Sequence, residues 1–538
     1  MLKGINKQDK LIILIITLIF LIVDFLGLGN TSSPETFADF GSVVAEIEFT
    51  GDAKPDHMMC FTGIKTGTYS IEFSSDGINY IHIADLEQNY GEILRWKLLY
   101  CYCPLENVNY ARIWATGDSP RMGEVVFFDS EGNIISYTSN VSEICDEQDK
   151  VVEKYSYMNS TYFDEIYHVR TALEYINGIW PYEISHPPLG KLIIALGISI
   201  FGITPFGWRF SGTFFGVLMI PAMYVFLKKM FKSTRVASCI SIIFATDFMH
   251  FVQTRIATID TYSVFFIILM YLFMYMFITE DDTKYLFLSG LFFGLGAASK
   301  WTSIYAGAGL AVIWLIYHIK HRDVFIRNAL LSIVYFVIIP GIIYYLSYIP
   351  YGIAQNVTNI FSKDYFKIVW SNQEFMFSYH ANLVAEHPYS SKWYQWIFNI
   401  RPILYYLEYY DNGTRSSFGA FMNPVLCWGG LAAMVMLVFE AVKSKDKNAG
   451  FIVIGYLAQL IPWIFVTRIT FEYHYFPCCV FLALALGYIF EKLKDEKIFI
   501  YGFTAISAGL FIYFYPVLSG LPVSSTTNLY HWMQTWPF

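Results

Sequence analysis

The stretch Tyr262-Ser-Val-Phe-Phe-Ile-Ile-Leu-Met-Tyr-Leu-Phe-Met-Tyr-Met-Phe-Ile-Thr279 carries no charged side chain. As a helix it would be about 27 Å long, close to the ~30 Å hydrocarbon thickness of a bilayer. Similar runs recur at Leu11–Leu28, Phe210–Leu227, Ala329–Tyr348 and Phe476–Phe490, each almost free of charge. Of the 538 residues, 55% are hydrophobic and only 15% charged, against roughly a quarter charged in soluble domains. The mean hydropathy is +0.43. These runs predict a polytopic membrane protein that is mainly α.

Lys3, Lys7 and Lys10 precede the first run, as they would in a secretory signal. That run is long for a signal core, and Val23-Asp-Phe-Leu-Gly-Leu28 offers no small-x-small cleavage site, so residues 1–30 are expected to hold a retained first span. The net charge of −8 decides little, because in a membrane protein the placement of Lys and Arg matters more than their sum. No basic stripe lies outside the short loops, which excludes a nucleic-acid partner.

The basic clusters are Lys3/Lys7/Lys10, Lys228/Lys229/Lys232/Arg235, Lys320/Arg322/Arg327, Lys443/Lys445/Lys447 and Lys492/Lys494/Lys497. If all are cytoplasmic, an even number of spans separates each from the next. Spans near 11–28, 208–227, 236–253, 261–279, 285–301, 304–318, 329–348, 422–441, 450–466, 475–490 and 498–516 satisfy that parity. They predict about eleven transmembrane helices, a cytoplasmic N-terminus and an extracytoplasmic C-terminus. Segments 29–207, 349–421 and the tail after 517 then lie outside. The unusual polar residues gather in or beside these loops, which points to chemistry at the outer face, in the plasma membrane. The membrane part divides into 151–348, the external loop 349–421 with interfacial helices, and a C-terminal bundle, 422–538.

Residues 31–150 read differently. Alternating stretches such as Tyr69-Ser-Ile-Glu-Phe73 and Val108–Ile113 are bounded by turns at Ser74-Ser-Asp-Gly77 and Asp129–Asn133, the pattern of a small external all-β domain. Phe73-Ser-Ser-Asp-Gly-Ile-Asn-Tyr80, Ala111-Arg-Ile-Trp114 and Gly123–Gly132 resemble a discoidin-like (galactose-binding-like) jelly roll. Such folds bind glycans or act as spacers. Cys60, Cys101, Cys103 and Cys145 lie in this segment, where oxidation of a pair is open, with three pairings. Cys101 and Cys103, if on one strand, share a face and do not bond. Cys239, Cys427, Cys478 and Cys479 fall in spans as packing residues.

The chemistry-bearing residues follow. Tyr162-Phe-Asp-Glu-Ile-Tyr-His168 leads into a short amphipathic run, then His186-Pro-Pro-Leu-Gly-Lys191, and the loop ends at Phe206-Gly-Trp-Arg209. Asp164 and Glu165 could be ordinary helix-start charge. Their setting between aromatics, with a membrane-level arginine nearby, favours function. These residues resemble the first-loop signature of the protein O-mannosyltransferase family (glycosyltransferase family 39). Its members use polyprenyl- or dolichyl-phosphate-linked mannose. Further resemblances are Gln253–Asp260, Ser299-Lys-Trp301, His387-Pro-Tyr-Ser-Ser-Lys-Trp-Tyr-Gln-Trp396, Asn423-Pro424, Pro462-Trp463 and Arg468-Ile-Thr-Phe-Glu-Tyr-His-Tyr-Phe-Pro477. Their order and sidedness agree with the topology drawn from charge over roughly 160–493.

The resemblance implies a GT-C-type fold and an inverting transfer from a polyprenyl-phosphate-linked sugar to a protein or glycan acceptor, with no cofactor. It places the catalytic aspartate at Asp164, with Glu165 orienting it or the acceptor. The departing phosphate calls for fixed cations. Arg209 is the first candidate, then Arg468, His474 and Lys300; the plain alternative for the arginines is interfacial snorkelling. Lys300, in an apolar stretch, needs a partner: the phosphate, Asp260 or Asp247. Asp247, Arg255 and Asp260 are expected to form a structural ion network. His186, His387, Trp393 and Trp396 are candidates for an acceptor or donor loop, the last three on an interfacial helix. No residues have metal-ligand spacing, and no glycine-rich phosphate loop points to a nucleotide sugar.

The sequence departs from the family twice. Segment 349–421 is too short for the β-trefoil of eukaryotic members, and the β domain before Asp164 is additional. Both bear on the acceptor, so transfer to a lipid or cell-envelope glycopolymer stands as the alternative, and a lipid or sugar transporter as a more distant one. Whether the enzyme works alone or as a dimer is left open.

Overall fold

The computed structural model describes residues 4–538. Contacts divide the chain into one unit of residues 27–170 and 196–209 and another of residues 1–26, 171–195 and 210–538.

The first unit is built on two antiparallel five-stranded sheets. Its strands are β1 (Ala38–Asp39), β2 (Ala45–Ala53), β3 (His57–Thr62), β4 (Gly67–Ser74), β5 (Ile81–Gln88), β6 (Arg95–Tyr100), β7 (Val108–Gly117), β8 (Arg121–Phe128), β9 (Ile134–Ile135) and β10 (Tyr137–Ser139). One sheet runs β1-β8-β3-β6 with β9 on β8, the other β10-β2-β7-β4-β5. Alternation decides which face goes inward. Tyr69, Ile71 and Phe73 are fully buried. Glu72 between them lies on the other face and takes the guanidinium of its cross-strand partner Arg112 and the indole N–H of Trp114. Phe49, Phe73, Phe127 and Tyr137 meet edge to face at 5.1–6.3 Å in the shared core. Asp76 and Asp129 close the two expected turns by accepting backbone N–H groups two and more residues on.

The cysteine expectation is corrected in one respect. Cys101 and Cys103 lie beyond the end of β6, not on a strand. All eight cysteines are free thiols, and burial pushes those of Cys60 and Cys101 up to about 12.

Glu124, on β8, is buried and accepts from the backbone N–H of Glu147 and Val125. Burial, with Asp146 and Glu147 adding repulsion, raises its carboxyl to about 8 against those hydrogen bonds. A carboxyl raised on folding stays protonated where the unfolded chain has already ionised, so stability falls as pH rises from about 4.5 to about 8 and then levels. The thermal midpoint of the purified protein is therefore expected to drop across that window, and Glu124→Gln is expected to flatten the drop. A wild-type slope that the substitution leaves unchanged would contradict this.

In the second unit a helix, or a bent helix pair, occupies each of the eleven segments expected to span. Among the described residues seven helices are long and apolar enough to cross a membrane: Pro205–Phe231, Asp260–Glu280, Thr302–Lys320, Arg322–Ala354, Val425–Ser444, Glu472–Lys492 and Lys497–Ser519. The count is eight if the pair Thr234–Ala245 and Phe248–Thr254, bent by 58°, is one span. Lys7–Phe25, Thr283–Ser299 and Lys447–Ile464 lie at the other three expected segments and fall outside that count. Helices 260–280 and 472–492 are 83% and 89% buried over their apolar windows and form the centre, whereas 322–354 is 6% buried and presents its apolar side chains outward. The outer helix packs tightly on 283–299 because Gly290 and Gly294 leave room for Tyr335 and Pro340; a Cβ at Gly290 would stand 2.2 Å from the Tyr335 carbonyl.

The first helix is tied at both ends. Asp9 caps its N-terminus with Asn6 and accepts from Tyr224 and Lys228. At its other end Arg255 donates to the carbonyls of Asp24 and Leu26.

The loop 349–421 departs from expectation. It holds a 20-residue helix, Lys363–Asn382, a four-residue turn of helix at Trp393–Trp396, and a hairpin of β11 (Ile403–Tyr409) and β12 (Thr414–Ala420). His387 is outside any helix, and Trp393 and Trp396 span only that single turn, so the helix expected to carry these three residues is corrected to a loop with one helical turn. The hairpin takes a third strand, β13 (Val523–Ser524), and the tail continues back over it, with Trp536 donating to the Asn399 carbonyl and Phe538 stacked on Phe421.

Candidate active site

Asp164 sits half-buried at the head of helix Glu165–Ile176. The preceding residue, Phe163, has φ 47°, a left-handed backbone that costs a bulky residue about 1–2 kcal/mol. Backbone strain of this kind gathers where a side chain must be aimed. Its neighbours over-determine the turn: Glu165 accepts from the Tyr162 N–H, and the Glu165 N–H donates to the Tyr162 carbonyl.

Glu165 is not a solvated helix-start residue. It is fully buried and accepts from Arg209 Nε (2.7 Å) and Nη2 (2.8 Å), from the Trp208 indole and from Tyr162 N–H. Arg209 is 1% exposed. Besides Glu165, its guanidinium donates to the carbonyls of Leu28 (2.8 Å), Tyr157 (2.6 Å) and Ser160 (2.9 Å). A guanidinium has five N–H donors, and these bonds use all five. Arg209 therefore has no donor to give a phosphate, and the expectation that it binds the leaving group is corrected: it clamps Glu165 and the chain around 157–160. Glu165 likewise becomes a positioning residue for the turn that carries Asp164.

In the other unit the His-Pro-Pro motif folds around a carboxylate the sequence reading did not single out. Glu183 takes the Lys191 ammonium at 2.5 Å, and its other oxygen lies 3.0 Å from His186 Nδ1. Lys191, fully buried, also donates to the carbonyls of Glu183 and His186. The imidazole of His186 is thus oriented by a carboxylate. Burial pushes its pKa down against the pull of Glu183, with Lys300 and Lys191 adding to the depression.

Lys300 finds its partner in Asp260, at 2.7 Å. The residues expected to form one ion network have separate roles: Asp247 caps helix 248–254 and accepts from the Asn423 N–H, Arg255 holds the first helix, and Asp260 pairs with Lys300. Lys300 is 7% exposed, with Nζ 5.6 Å from the Tyr473 ring. Lys300 and Arg468 form a cationic neighbourhood that helps hold the His380 imidazole below its usual pKa. Arg468 is half-buried and makes one hydrogen bond among the described residues, to the Ile469 carbonyl. It retains the donors that Arg209 lacks.

His474 is held by aromatics, stacked on Trp396 at 5.9 Å and Tyr473 at 4.5 Å and edge-on to Trp463 at 4.4 Å. Trp396 is fully buried and donates to Ser391, so it supports His474 from beneath. His387 lines a cavity of about 590 Å³ with Glu386, Lys392, Gln395, Thr467 and Thr470. The backbones of Ser391 and Thr470 are bonded, which joins this loop to the segment bearing Arg468 and His474. Trp393 is half-buried against Tyr394.

Three comparisons bear on the membrane part of the chain. Residues 185–348 match the family model described as dolichyl-phosphate-mannose-protein mannosyltransferase, and residues 365–536 that of the C-terminal four TMM region of protein-O-mannosyltransferase. The polyprenol-phosphate-mannose–protein mannosyltransferase of Mycolicibacterium smegmatis is 24% identical over 424 residues, covering 66% of this chain and 82% of that one. That of Corynebacterium glutamicum is 23% identical over 373 residues, 58% of this chain and 72% of the other. In structure, the chain is similar to the Saccharomyces cerevisiae protein O-mannosyltransferase Pmt1-Pmt2 complex bound to the sugar donor. The TM-score is 0.62 at 15% identity, over 70% of this chain and 89% of that chain.

Proposed function

Because the chain belongs to the protein O-mannosyltransferase family, we propose that it transfers mannose from a polyprenyl-phosphate carrier to Ser or Thr hydroxyls of proteins at the outer face of the membrane. It is a multi-pass membrane glycosyltransferase of GT-C type. The observation that carries the reading is the family match on both halves of the membrane part, with a half-buried Asp164 set on a strained turn.

In the proposed reaction the acceptor oxygen attacks the anomeric carbon from the face opposite the phosphate. Asp164 takes the hydroxyl proton as the new C–O bond forms. The bond from the anomeric carbon to the phosphate oxygen breaks, and the polyprenyl phosphate leaves with the electron pair, giving inversion. Lys300 and Arg468 are the groups assigned to the departing phosphate, since each retains N–H donors beyond its one side-chain hydrogen bond among the described residues. Asp260 holds Lys300 in place. The eleven-span topology, the extracytoplasmic loops, the plasma-membrane location and a separate domain at 31–150 belong to the same reading.

The test is donor class. Purified protein is offered a Ser/Thr peptide with polyprenyl-phosphate-mannose or with a nucleotide-linked mannose. Product from the lipid-linked donor alone is expected; product from the nucleotide sugar alone would overturn the reading.

A further inference from the structure

His380 lies on helix 363–382, outside every motif that marks the family in this chain. Its Nε2 is 2.9 Å from the carbonyl oxygen of Ser185. A carbonyl only accepts, so Nε2 carries the hydrogen and Nδ1 carries a lone pair. That Nδ1 is buried with no hydrogen-bond partner. Burial, reinforced by His186, Arg468 and Lys300, lowers the His380 pKa to about 4, which keeps the ring neutral at physiological pH. The ring packs edge-on to His186 at 5.2 Å and against Trp301, the neighbour of Lys300, at 6.2 Å.

An orphaned buried acceptor specifies the chemistry of what it meets. A phosphate oxygen has no hydrogen to give, so it suits Lys300 and Arg468 and not this nitrogen. A hydroxyl does have one. Building on the proposed donor, we infer that His380 Nδ1 accepts a hydrogen bond from a hydroxyl of the sugar being transferred, so that His380 is a sugar-recognition residue beside the cations that take the phosphate. A donor lacking that hydroxyl leaves the nitrogen unpaired, and such loss is discriminated more strongly than loss of an apolar contact. Trp301 packs against the same ring, and its indole N–H is already given to Tyr344.

The experiment compares wild type, His380→Ala and His380→Gln with polyprenyl-phosphate-mannose and its four monodeoxy analogues, reading kcat/KM for each donor and KM for the acceptor peptide. Wild type is expected to disfavour one deoxy donor by about tenfold or more relative to the others. His380→Ala is expected to erase that preference with the peptide KM unchanged, and His380→Gln, which keeps an accepting oxygen, to restore part of it. Identical discrimination in wild type and both variants would overturn the inference, as would a change confined to the peptide KM, which would assign the hydroxyl to the acceptor. Absence of transfer from any lipid-linked mannose by wild type would overturn the donor reading itself, and this inference with it. Since His380→Gln keeps a polar side chain at the site, unfolding of the alanine variant alone would not obscure the comparison.

Discussion

Asp164→Asn is expected to lower mannose transfer by about 10²–10⁴-fold, the range in which a positioned general base contributes, while leaving the protein folded and membrane-inserted. The carboxamide is nearly isosteric and keeps the turn, but it cannot accept the acceptor proton. Asp164 is half-buried, so the loss of its charge is a small perturbation of the fold. The neighbouring carboxylate supplies the internal control. Glu165 has its lone pairs occupied by Arg209, Trp208 and Tyr162 and cannot stand in for the base. The measurement is kcat with saturating lipid-linked mannose and a Thr-containing peptide. Activity within a few-fold of wild type would remove Asp164 from the proposed role.

The second large effect falls on folding. Arg209→Ala strips a buried carboxylate of its cation and removes a donor from each of three carbonyls. Breaking one side of a buried pair costs about 3–5 kcal/mol, a large share of the 5–15 kcal/mol by which a domain is usually stable. Arg209→Lys is expected to recover little, because an ammonium has three donors on a point charge where the site uses a planar five-donor fork. Thermal unfolding, or yield of monodisperse protein in detergent, would read this out. If Arg209 were instead a phosphate ligand, Arg209→Ala would unfold like wild type and show only a raised KM for the donor. That pattern would reverse the assignment.

The membrane architecture was legible in the sequence because a bilayer imposes a length and a composition on whatever crosses it. Runs such as 262–279 therefore announce themselves, and helices 260–280 and 472–492 appear within a few residues of expectation. The loop 349–421 was less legible. Helix 363–382 mixes charged and aromatic residues without a long apolar run, and the hairpin at 403–420 depends on a third strand more than a hundred residues away. At the site, motif spacing marked Asp164 and the His-Pro-Pro turn but not the partners. That Glu165 would saturate Arg209 follows from the backbone carbonyls of Leu28, Tyr157 and Ser160 converging on one guanidinium, which no local pattern encodes. Lys300 required a buried partner on physical grounds, yet only the fold chose Asp260 over Asp247, which caps a helix instead. Glu183 and His380 were missed for a similar reason: each matters through what the tertiary structure brings to it.

In the proposed reaction mannose passes from a lipid phosphate to a protein hydroxyl. Its most direct test is to incubate the purified protein with polyprenyl-phosphate-[14C]mannose, a Thr-containing peptide, the same peptide with Thr replaced by Ala, and a mixture of membrane lipids. Label is expected on the Thr peptide alone, releasable by alkaline β-elimination. Label on lipid with none on either peptide would contradict it and assign the acceptor to the membrane.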